Sequence, residues 1–267
     1  MTVVDALRAH LGLKQEAERF EEGSLPVYAI GDDLVLKLFP PEDADESAVE
    51  AAALQAVQGK LAIPTPKLHD TGEFEGWGYV LMQRLHGTPV ESATVSQCAQ
   101  LGEALKDLHA ITPPESLPAP DWPRFVEQQQ RNATAQQRDL DPHWREQIDD
   151  FLNNTDLGNA RTAFLHTEVM NAHLVEQDGK LTGLFDFEPA MRGATEYEFV
   201  ATGIFVTKGD QEKQRALTKA YGEAPDPRKV MAYTLLHVYS NLAWYLKELP
   251  GQERTLDRLA QRWFGLD

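Results

Sequence analysis

The pattern of apolar and polar positions changes character about a third of the way along the chain. Residues 1–13 read as an amphipathic helix, and short apolar runs such as residues 35–39 and 78–82 follow, separated by turns that contain glycine. This spacing predicts strands and hairpins. An alanine-rich stretch, residues 43–59, interrupts them and predicts a helix, because acidic residues occupy its first turn and Gly59 ends it.

Helical periodicity dominates the remainder of the chain, and sheet signals end within residues 85–90. Leu101, Leu105 and Leu108 stand at helical spacing, and residues 125–154 and 196–267 are also predicted to be largely helical. The predicted exceptions are a proline-rich loop at 112–123 and short strands around turns at 165–175 and 181–191. We therefore expect an α+β protein of two lobes, a sheet-containing lobe at 1–86 and a mostly helical lobe at 87–267.

Composition narrows the classes of protein. With one cysteine, Cys98, the chain cannot form an intramolecular disulfide or a cysteine-based zinc site. No apolar run approaches the roughly 20 residues that cross a bilayer, and the first residues lack an export-signal pattern. A net charge of −17 argues against nucleic-acid or membrane partners and suits a cationic ligand. We expect a cytoplasmic protein, either a monomer or a homodimer.

Three charged residues occupy positions where charge is expensive. Lys37 stands within the apolar run 35–39, and Asp186 stands within the strand-like run 183–187. A buried ammonium needs an opposite charge, and a buried carboxylate needs a cation or several hydrogen bonds. Glu50, on the predicted helix after Lys37, is a candidate partner. Each residue also has an alternative without function. Lys37 could lie on an edge strand and point to solvent, Glu50 could lie on a solvated helix face, and Asp186 could have a structural capping role.

Residues 166–173 gather His166, Glu168, Asn171 and His173 within eight positions. One interpretation is a two-histidine, one-carboxylate iron site, which would need His237 as its third ligand. A second is a phosphoryl-transfer loop, in which Glu168 orients the substrate hydroxyl and a metal carboxylate follows on a hairpin, as Asp186 does. A third is a polar turn without chemistry.

The ordered set of motifs resembles the family of aminoglycoside phosphotransferases and choline kinases. The family's catalytic run H-G-D-x-H-x-x-N corresponds here to H-T-E-V-M-N-A-H, which begins at His166. Its metal run I-D-F/W-x-x-x-x-x-G-D-P-x-x-D corresponds to F-D-F-E-P-A-M-R-G-A-T-E-Y-E, which begins at Phe185. The resemblance extends from about residue 20 to about residue 205 and implies a protein-kinase-like fold with ATP and Mg²⁺ as cofactors.

The resemblance also implies roles for individual residues. Lys37 would bind the α and β phosphates and Glu50 would hold it. Glu168 would be the catalytic carboxylate, and Asp186 with His173 would bind the metal. Glu198 would fix the catalytic loop. Backbone groups at the hinge would bind adenine; the hinge residues are Met82, Gln83, Arg84 and Leu85. A turn near the first strand, Gly23 and Ser24, would cover the phosphates.

Two departures from the family pattern leave an alternative open. Glu168 stands where the family has aspartate, and its extra methylene shifts the carboxylate by about 1.5 Å in a reaction that depends on positioning. His173 replaces an asparagine metal ligand, and Asn171 or Glu188 could take over its place. The favoured interpretation is a kinase for a small, cationic hydroxylated substrate such as an aminoglycoside, with Glu188, Glu196 and acids of 127–150 near that substrate. The alternative is a kinase-like protein that binds a nucleotide or a partner without efficient phosphoryl transfer.

Overall fold

The computed structural model describes residues 2–21, 23–137, 139–158 and 161–266. It confirms the predicted α+β architecture of two lobes. The strands are β1 Ala17–Arg19, β2 Val27–Ile30, β3 Leu34–Phe39, β4 Leu68–Phe74, β5 Trp77–Gln83, β6 Thr88–Pro89, β7 Thr162–Leu165, β8 Leu174–Gln177, β9 Lys180–Leu184 and β10 Met191–Ala194. The helices are α1 Val3–His10, α2 Glu46–Val57, α3 Val95–Ala110, α4 Trp122–Gln136, α5 Pro142–Asn153, α6 Thr195–Ala201, α7 Gln211–Tyr221, α8 Pro227–Leu236, α9 Leu242–Glu248 and α10 Leu256–Phe264.

The N-terminal sheet is antiparallel, in the order β1-β2-β3-β5-β4. Successive side chains of a strand point to opposite faces of a sheet. Leu36 and Leu38 of β3 therefore pack with Val4 and Leu7 of α1 in a small apolar cluster. Lys37 lies on the opposite face, which α2 covers, and β3 is an internal strand between β2 and β5. The alternative of an edge-strand lysine is therefore wrong.

Helix α2 packs against the sheet at close range. Its buried positions include Glu50, Leu54 and Val57, whose spacing of four and three residues forms one helical face. Gly78 on β5 makes this approach possible, because a β-carbon there would lie 2.4 Å from the carbonyl oxygen of Ala44. Glu50 thus faces Lys37 and not solvent, as its side chain is 0% exposed.

The C-terminal lobe is built of helices around two small sheets. Strands β6, β8 and β9 form one sheet, and β7 pairs with β10 in a separate antiparallel ribbon. Helices α3 and α7 pack closely, since a β-carbon on Gly102 would come within 2.2 Å of the Leu217 carbonyl oxygen. The ribbon and the β8–β9 hairpin hold the two loops that carry His166 and Asp186.

Some predicted boundaries differ from the structure. Asp186 lies beyond the end of β9, and the prediction that it stands inside a strand is wrong. Short strand β1 was not predicted, and Trp122 and Pro123, assigned to a loop, begin α4 because Asp121 caps the helix. The predicted lobe boundary after residue 86 stays a prediction. Within the described ranges, every helix is too short or too polar to cross a lipid bilayer.

Candidate functional site

Lys37 is the centre of a cluster of carboxylates from distant parts of the chain. Its ammonium lies 3.1 Å from Glu50 Oε2, 2.5 Å from Asp186 Oδ1 and 2.5 Å from Glu188 Oε2. Asp186 is 149 residues away in sequence. The predicted convergence of Lys37, Glu50 and Asp186 is therefore present, and Glu188 joins it. From the sequence, Glu188 was expected to lie near the substrate or to replace His173 as a metal ligand. The residues around it gave no indication that it contacts Lys37.

Burial and neighbouring charges act in opposite directions on the pKa values of the residues in this cluster. Burial acts to lower the pKa of Lys37, but the carboxylates of Glu50, Asp186 and Glu188 outweigh it and raise that pKa. Burial raises the pKa of Glu50 to about 7 despite the attraction of Lys37. For Asp186, burial is opposed by Lys37 and His173, which together lower its pKa. The lysine and Asp186 therefore form the strongly ionised pair of the site.

The loop after β7 is fixed from below by Glu198 at the start of α6. Glu198 is buried, and its two oxygens accept hydrogen bonds from the backbone N–H groups of His166, at 2.6 Å, and Thr167, at 3.1 Å. The His166 ring nitrogen Nε2 lies 3.0 Å from the Phe185 carbonyl oxygen. Glu198 and His166 thus connect the loop to the segment that carries Asp186, which is the role that the resemblance implied for Glu198.

Two residues of the site adopt backbone conformations that are costly for side chains with a β-carbon. Thr167 has φ +72° and Asp186 has φ +71°. Left-handed conformations of non-glycine residues cost of order 1–3 kcal/mol and cluster at functional sites. The Thr167 hydroxyl donates to the Pro189 carbonyl oxygen at 3.2 Å, so the surrounding contacts hold the two loops together in this conformation.

Glu168 follows Thr167 and lies beside the acidic cluster. Burial raises the pKa of its carboxyl group, His173 opposes the shift, and Asp186 and Glu188 add to it. The Glu168 carboxylate also adds to the raised pKa of Tyr197, for which burial is the main cause. The Glu168 carboxylate therefore interacts electrostatically with Asp186 and with Tyr197.

An aromatic group that sequence reasoning missed adjoins Glu168. The ring of Tyr197 stacks on His237 with centroids 5.2 Å apart, and Tyr239 lies 5.9 Å from His237. The three come from α6 and from residues 237–241, which interrupt the predicted C-terminal helical run between α8 and α9. Tyr197 and His237 are buried, and Tyr239, which is 74% exposed, is the one ring of the three that solvent reaches.

Because His237 is buried, we expect the free energy of unfolding to decrease at acidic pH. Burial lowers the pKa of His237 from 6.5 to about 4. The folded protein therefore binds fewer protons than the unfolded chain between these values, and stability is lost as pH falls through this window. Between pH 7 and pH 4, the unfolding free energy of His237→Gln should fall by about 3 kcal/mol less than that of the wild type. Urea titrations across that range measure the difference, and the exposed His86→Gln is the control. Equal pH slopes for the wild type and His237→Gln would contradict the prediction.

The proposed adenine-binding segment is held by the sheet. The N–H of Gln83 donates to the Lys67 carbonyl oxygen at 2.8 Å, and that of Arg84 donates to the Asp33 carbonyl oxygen at 2.7 Å. Met82 is buried, and the Leu85 side chain packs over Gly183 on β9. The N–H groups of Gln83 and Arg84 are therefore occupied, and the binding of adenine by backbone groups of residues 82–85 stays a prediction.

The turn with Gly23 and Ser24 joins β1 to β2. Gly23 has φ +102°, a conformation that favours glycine, and Ser24 is exposed. The structure shows no contact between this turn and the Lys37 cluster among the described residues. A role of the turn in covering phosphates stays a prediction.

The donor groups of the site suit a divalent cation, provided that other ligands complete its shell. Glu50, Asp186 and Glu188 surround one ammonium, and Glu168 interacts electrostatically with the same cluster, which leaves an excess of negative charge. The buried Asn171 Oδ1 accepts no hydrogen bond from any of the residues that the structure describes. In the described part of the chain, no three His, Cys, Asp or Glu side chains are arranged to hold a metal ion by themselves. Phosphate oxygens would therefore have to contribute ligands.

The iron-site interpretation does not fit this geometry. It requires the nitrogens of His166 and His237 to converge with Glu168. Instead, His166 Nε2 contacts the Phe185 carbonyl oxygen, and His237 Nδ1 accepts a hydrogen bond from the Tyr239 N–H at 3.2 Å.

Comparison with known proteins places this arrangement in a family. Residues 16–233 match the model of the phosphotransferase enzyme family. Similar solved structures include macrolide 2'-phosphotransferase MphH from Brachybacterium faecium, at 18% identity over 98% of this chain and 97% of that one, with a TM-score of 0.69. Aminoglycoside 2'-phosphotransferase-IIIa in complex with GDP has 19% identity over 88% and 89%, with a TM-score of 0.72.

A third similar structure is aminoglycoside phosphotransferase APH(2'')-Ib with bound ADP, at 15% identity over 99% of both chains and a TM-score of 0.66. At these identities the structural likeness shows the fold alone, and it extends over nearly the whole chain. The match to the family model covers most of the sequence and includes every residue of the Lys37 cluster. The protein is therefore a member of the phosphotransferase enzyme family.

Proposed function

We propose that this phosphotransferase is an ATP-dependent kinase that transfers the γ-phosphate to a hydroxyl group of a small, cationic acceptor such as an aminoglycoside. The observation that carries the proposal is the contact of Lys37 with Glu50 and Asp186, with Glu168 close by. Family membership and the similar structures support a phosphotransferase that acts on hydroxyl groups.

Lys37 is proposed to bind the α and β phosphates of the nucleotide. Its ammonium has three N–H donors, and three carboxylates now surround it. A phosphate must therefore replace at least one of them. Glu50 is fully buried behind Lys37 and also accepts from the Phe187 N–H at 3.3 Å, so it stays in place. Asp186 and Glu188, which are more exposed, are the partners that can be exchanged for phosphate.

Asp186 and His173 are proposed to hold a divalent metal ion, with Glu188 as a further oxygen donor. Their contacts keep both side chains near Lys37: His173 Nε2 lies 3.2 Å from Asp186 Oδ2. A metal ion bound there would neutralise charge on the phosphates during transfer. The phosphates of ATP are proposed to supply the remaining ligands.

Glu168 is proposed to orient the acceptor hydroxyl and accept its proton. Partial burial raises the pKa of this carboxyl group, which improves its match to proton acceptance near neutral pH. The exposed ring of Tyr239, which contacts His237 and through it Tyr197, is proposed to provide one flat face for a sugar ring of the acceptor.

Several acidic residues of the C-terminal lobe that were expected near the substrate have partners within the chain instead. Glu196 lies 3.9 Å from Lys229, Asp149 accepts from the Thr134 hydroxyl, and Asp150 from the Asn154 amide. The attraction for a cationic acceptor is therefore assigned to Glu168, Glu188 and the overall charge of −17.

The test of this function measures ADP formation from ATP with Mg²⁺ or Mn²⁺ against a panel of aminoglycosides, choline, sugars and amino-acid alcohols. We expect acceptor-dependent turnover with at least one cationic acceptor, because the charge and aromatic surface beside Glu168 suit it. A thermal-shift titration with ATP and metal runs in parallel, since ligand binding raises the melting temperature. Nucleotide binding without turnover for any acceptor would favour the non-catalytic alternative. Absence of nucleotide binding would contradict the kinase and leave a kinase-like protein that binds a partner.

A further inference from the structure

Gln137 follows the last residue of α4, and its side chain reaches the loop of residues 237–241 between α8 and α9. The residue is buried, at 3% exposure. Its amide nitrogen Nε2 donates to Ser240 Oγ at 2.7 Å, and its amide oxygen Oε1 accepts from the Leu242 N–H at 3.0 Å. One side chain therefore joins the end of α4 to a segment that lies 103 residues further along the chain.

The two hydrogen bonds fix the orientation of the Gln137 amide. A backbone N–H only donates, so the amide oxygen faces Leu242 and the NH₂ group faces Ser240. The Leu242 N–H is one of the first-turn donors of α9, which have no partner inside that helix. Loss of the Gln137 amide would leave this buried donor without a hydrogen bond, at a cost in free energy.

The same loop is also held by hydrogen bonds to His237. The Ser240 N–H donates to the His237 carbonyl oxygen at 2.9 Å, and the Tyr239 N–H donates to His237 Nδ1 at 3.2 Å. The His237 ring in turn stacks on Tyr197. The backbone is therefore fixed on both sides of Tyr239, by His237 before it and by Gln137 after it, and the place of the exposed Tyr239 ring depends on both.

We propose that Gln137 is a positioning residue for the acceptor: it holds the 237–241 loop and so sets the place of the Tyr239 ring against the acceptor. The inference rests on the proposed function, in which the Tyr239 ring provides one flat face for a sugar ring. Both side-chain hydrogen bonds of Gln137 end at this loop and at the start of α9. Its contribution is therefore to the affinity for the acceptor and not to phosphoryl transfer.

A glutamine with only a structural role would have a different kinetic effect. Loss of its hydrogen bonds would then lower the amount of folded enzyme, and with it the apparent kcat, while the KM for the acceptor would stay unchanged. Positioning of Tyr239 instead requires the KM for the acceptor to rise and the KM for ATP to stay unchanged. A double-mutant cycle with Tyr239 adds a second distinction, because an effect that acts through this ring disappears when the ring is absent.

Gln137→Met keeps the length of the side chain and removes both hydrogen bonds. With the acceptor found in the panel, we expect the acceptor KM to rise about 2- to 5-fold, the contribution of an exposed contact between a cationic group and an aromatic face. The KM for ATP and kcat should stay close to the wild-type values. Tyr239→Ala should raise the acceptor KM by a similar factor, and Gln137→Met should raise it no further in that background. Gln136→Met, at an exposed neighbouring position, is the matched control and should behave as the wild type.

Ser240→Ala removes only the hydrogen bond from Nε2 and decides the question if Gln137→Met does not fold. It should also raise the acceptor KM, and hydrogen exchange of residues 237–242 should be faster than in the wild type. An unchanged acceptor KM in the folded variants, unchanged exchange, or an equal rise of KM with and without the Tyr239 ring would overturn the inference and leave the proposed kinase function intact. Absence of turnover by the wild type with every acceptor of the panel would contradict the proposed function, and the inference with it.

Discussion

Replacement of Lys37 by methionine is expected to lower the free energy of unfolding by about 3–5 kcal/mol, the usual cost of removing one partner of a buried ion pair. The ammonium is 4% exposed and is the shared counter-charge of Glu50, Asp186 and Glu188. Without it, Glu50 remains fully buried beside two other acids. Urea titration at pH 8, above the pKa of about 7 that burial gives Glu50, measures the loss while the carboxylates are largely ionised.

Two variants identify the cause of this loss. Lys60→Met removes an exposed lysine and should change stability by less than about 0.5 kcal/mol. Adding Glu50→Gln to Lys37→Met should restore part of the stability, because the buried acid is then neutral. A loss below 1 kcal/mol in Lys37→Met, or no recovery in the double variant, would show that the carboxylates do not depend on this lysine. Nucleotide binding should also weaken in Lys37→Met.

Replacement of Glu168 by glutamine is expected to lower kcat by about 10²–10⁴-fold, the range that general acid–base catalysis contributes. The amide has nearly the same shape but accepts no proton from the acceptor hydroxyl. Since Lys37, Glu50 and Asp186 are untouched, the affinity for ATP and metal should change little. Turnover with the acceptor found in the panel and nucleotide titration by calorimetry measure the two effects separately.

Glu168→Asp tests whether the site is built around the longer side chain. Aspartate retains the carboxylate but withdraws it by about 1.5 Å, and displacements of about 1 Å can cost 10²-fold in rate. We expect kcat to fall at least 10-fold in Glu168→Asp and to be unchanged in Glu103→Gln, an exposed control. Full activity in Glu168→Gln would remove Glu168 from the chemistry.

Several features of the site follow from local pattern. The alternation in 35–39 places Lys37 on the face opposite Leu36 and Leu38, and the periodicity of α2 places Glu50 on its buried face. A charge in such a position requires a partner, so the pairing of Lys37 with Glu50 could be predicted from short segments. The order of the motifs also predicted the two-lobed fold, because each element is encoded by its own periodicity.

Other features were beyond local pattern. The interruption of the C-terminal helical run at 237–241, the left-handed backbone of Asp186 and the contact of Glu188 with Lys37 were not predicted. Val238 and Tyr239 lie within the interruption, and it contains neither glycine nor proline, so the local sequence gave no clear helix-breaking signal there. The conformations of Thr167 and Asp186 are costly for their residue types, and only the packing of the two loops against each other makes them stable.

The sequence by itself therefore determined the elements, their order and which face of each carries a charge, since strand and helix periodicities act over a few residues. Tertiary structure decided which of those charges meet: Lys37 with two acids about 150 positions away, and His173 with Asp186. The physical reason is that contacts between remote segments depend on how all the helices and sheets pack together, and Coulomb interactions and hydrogen bonds change sharply within a few ångströms.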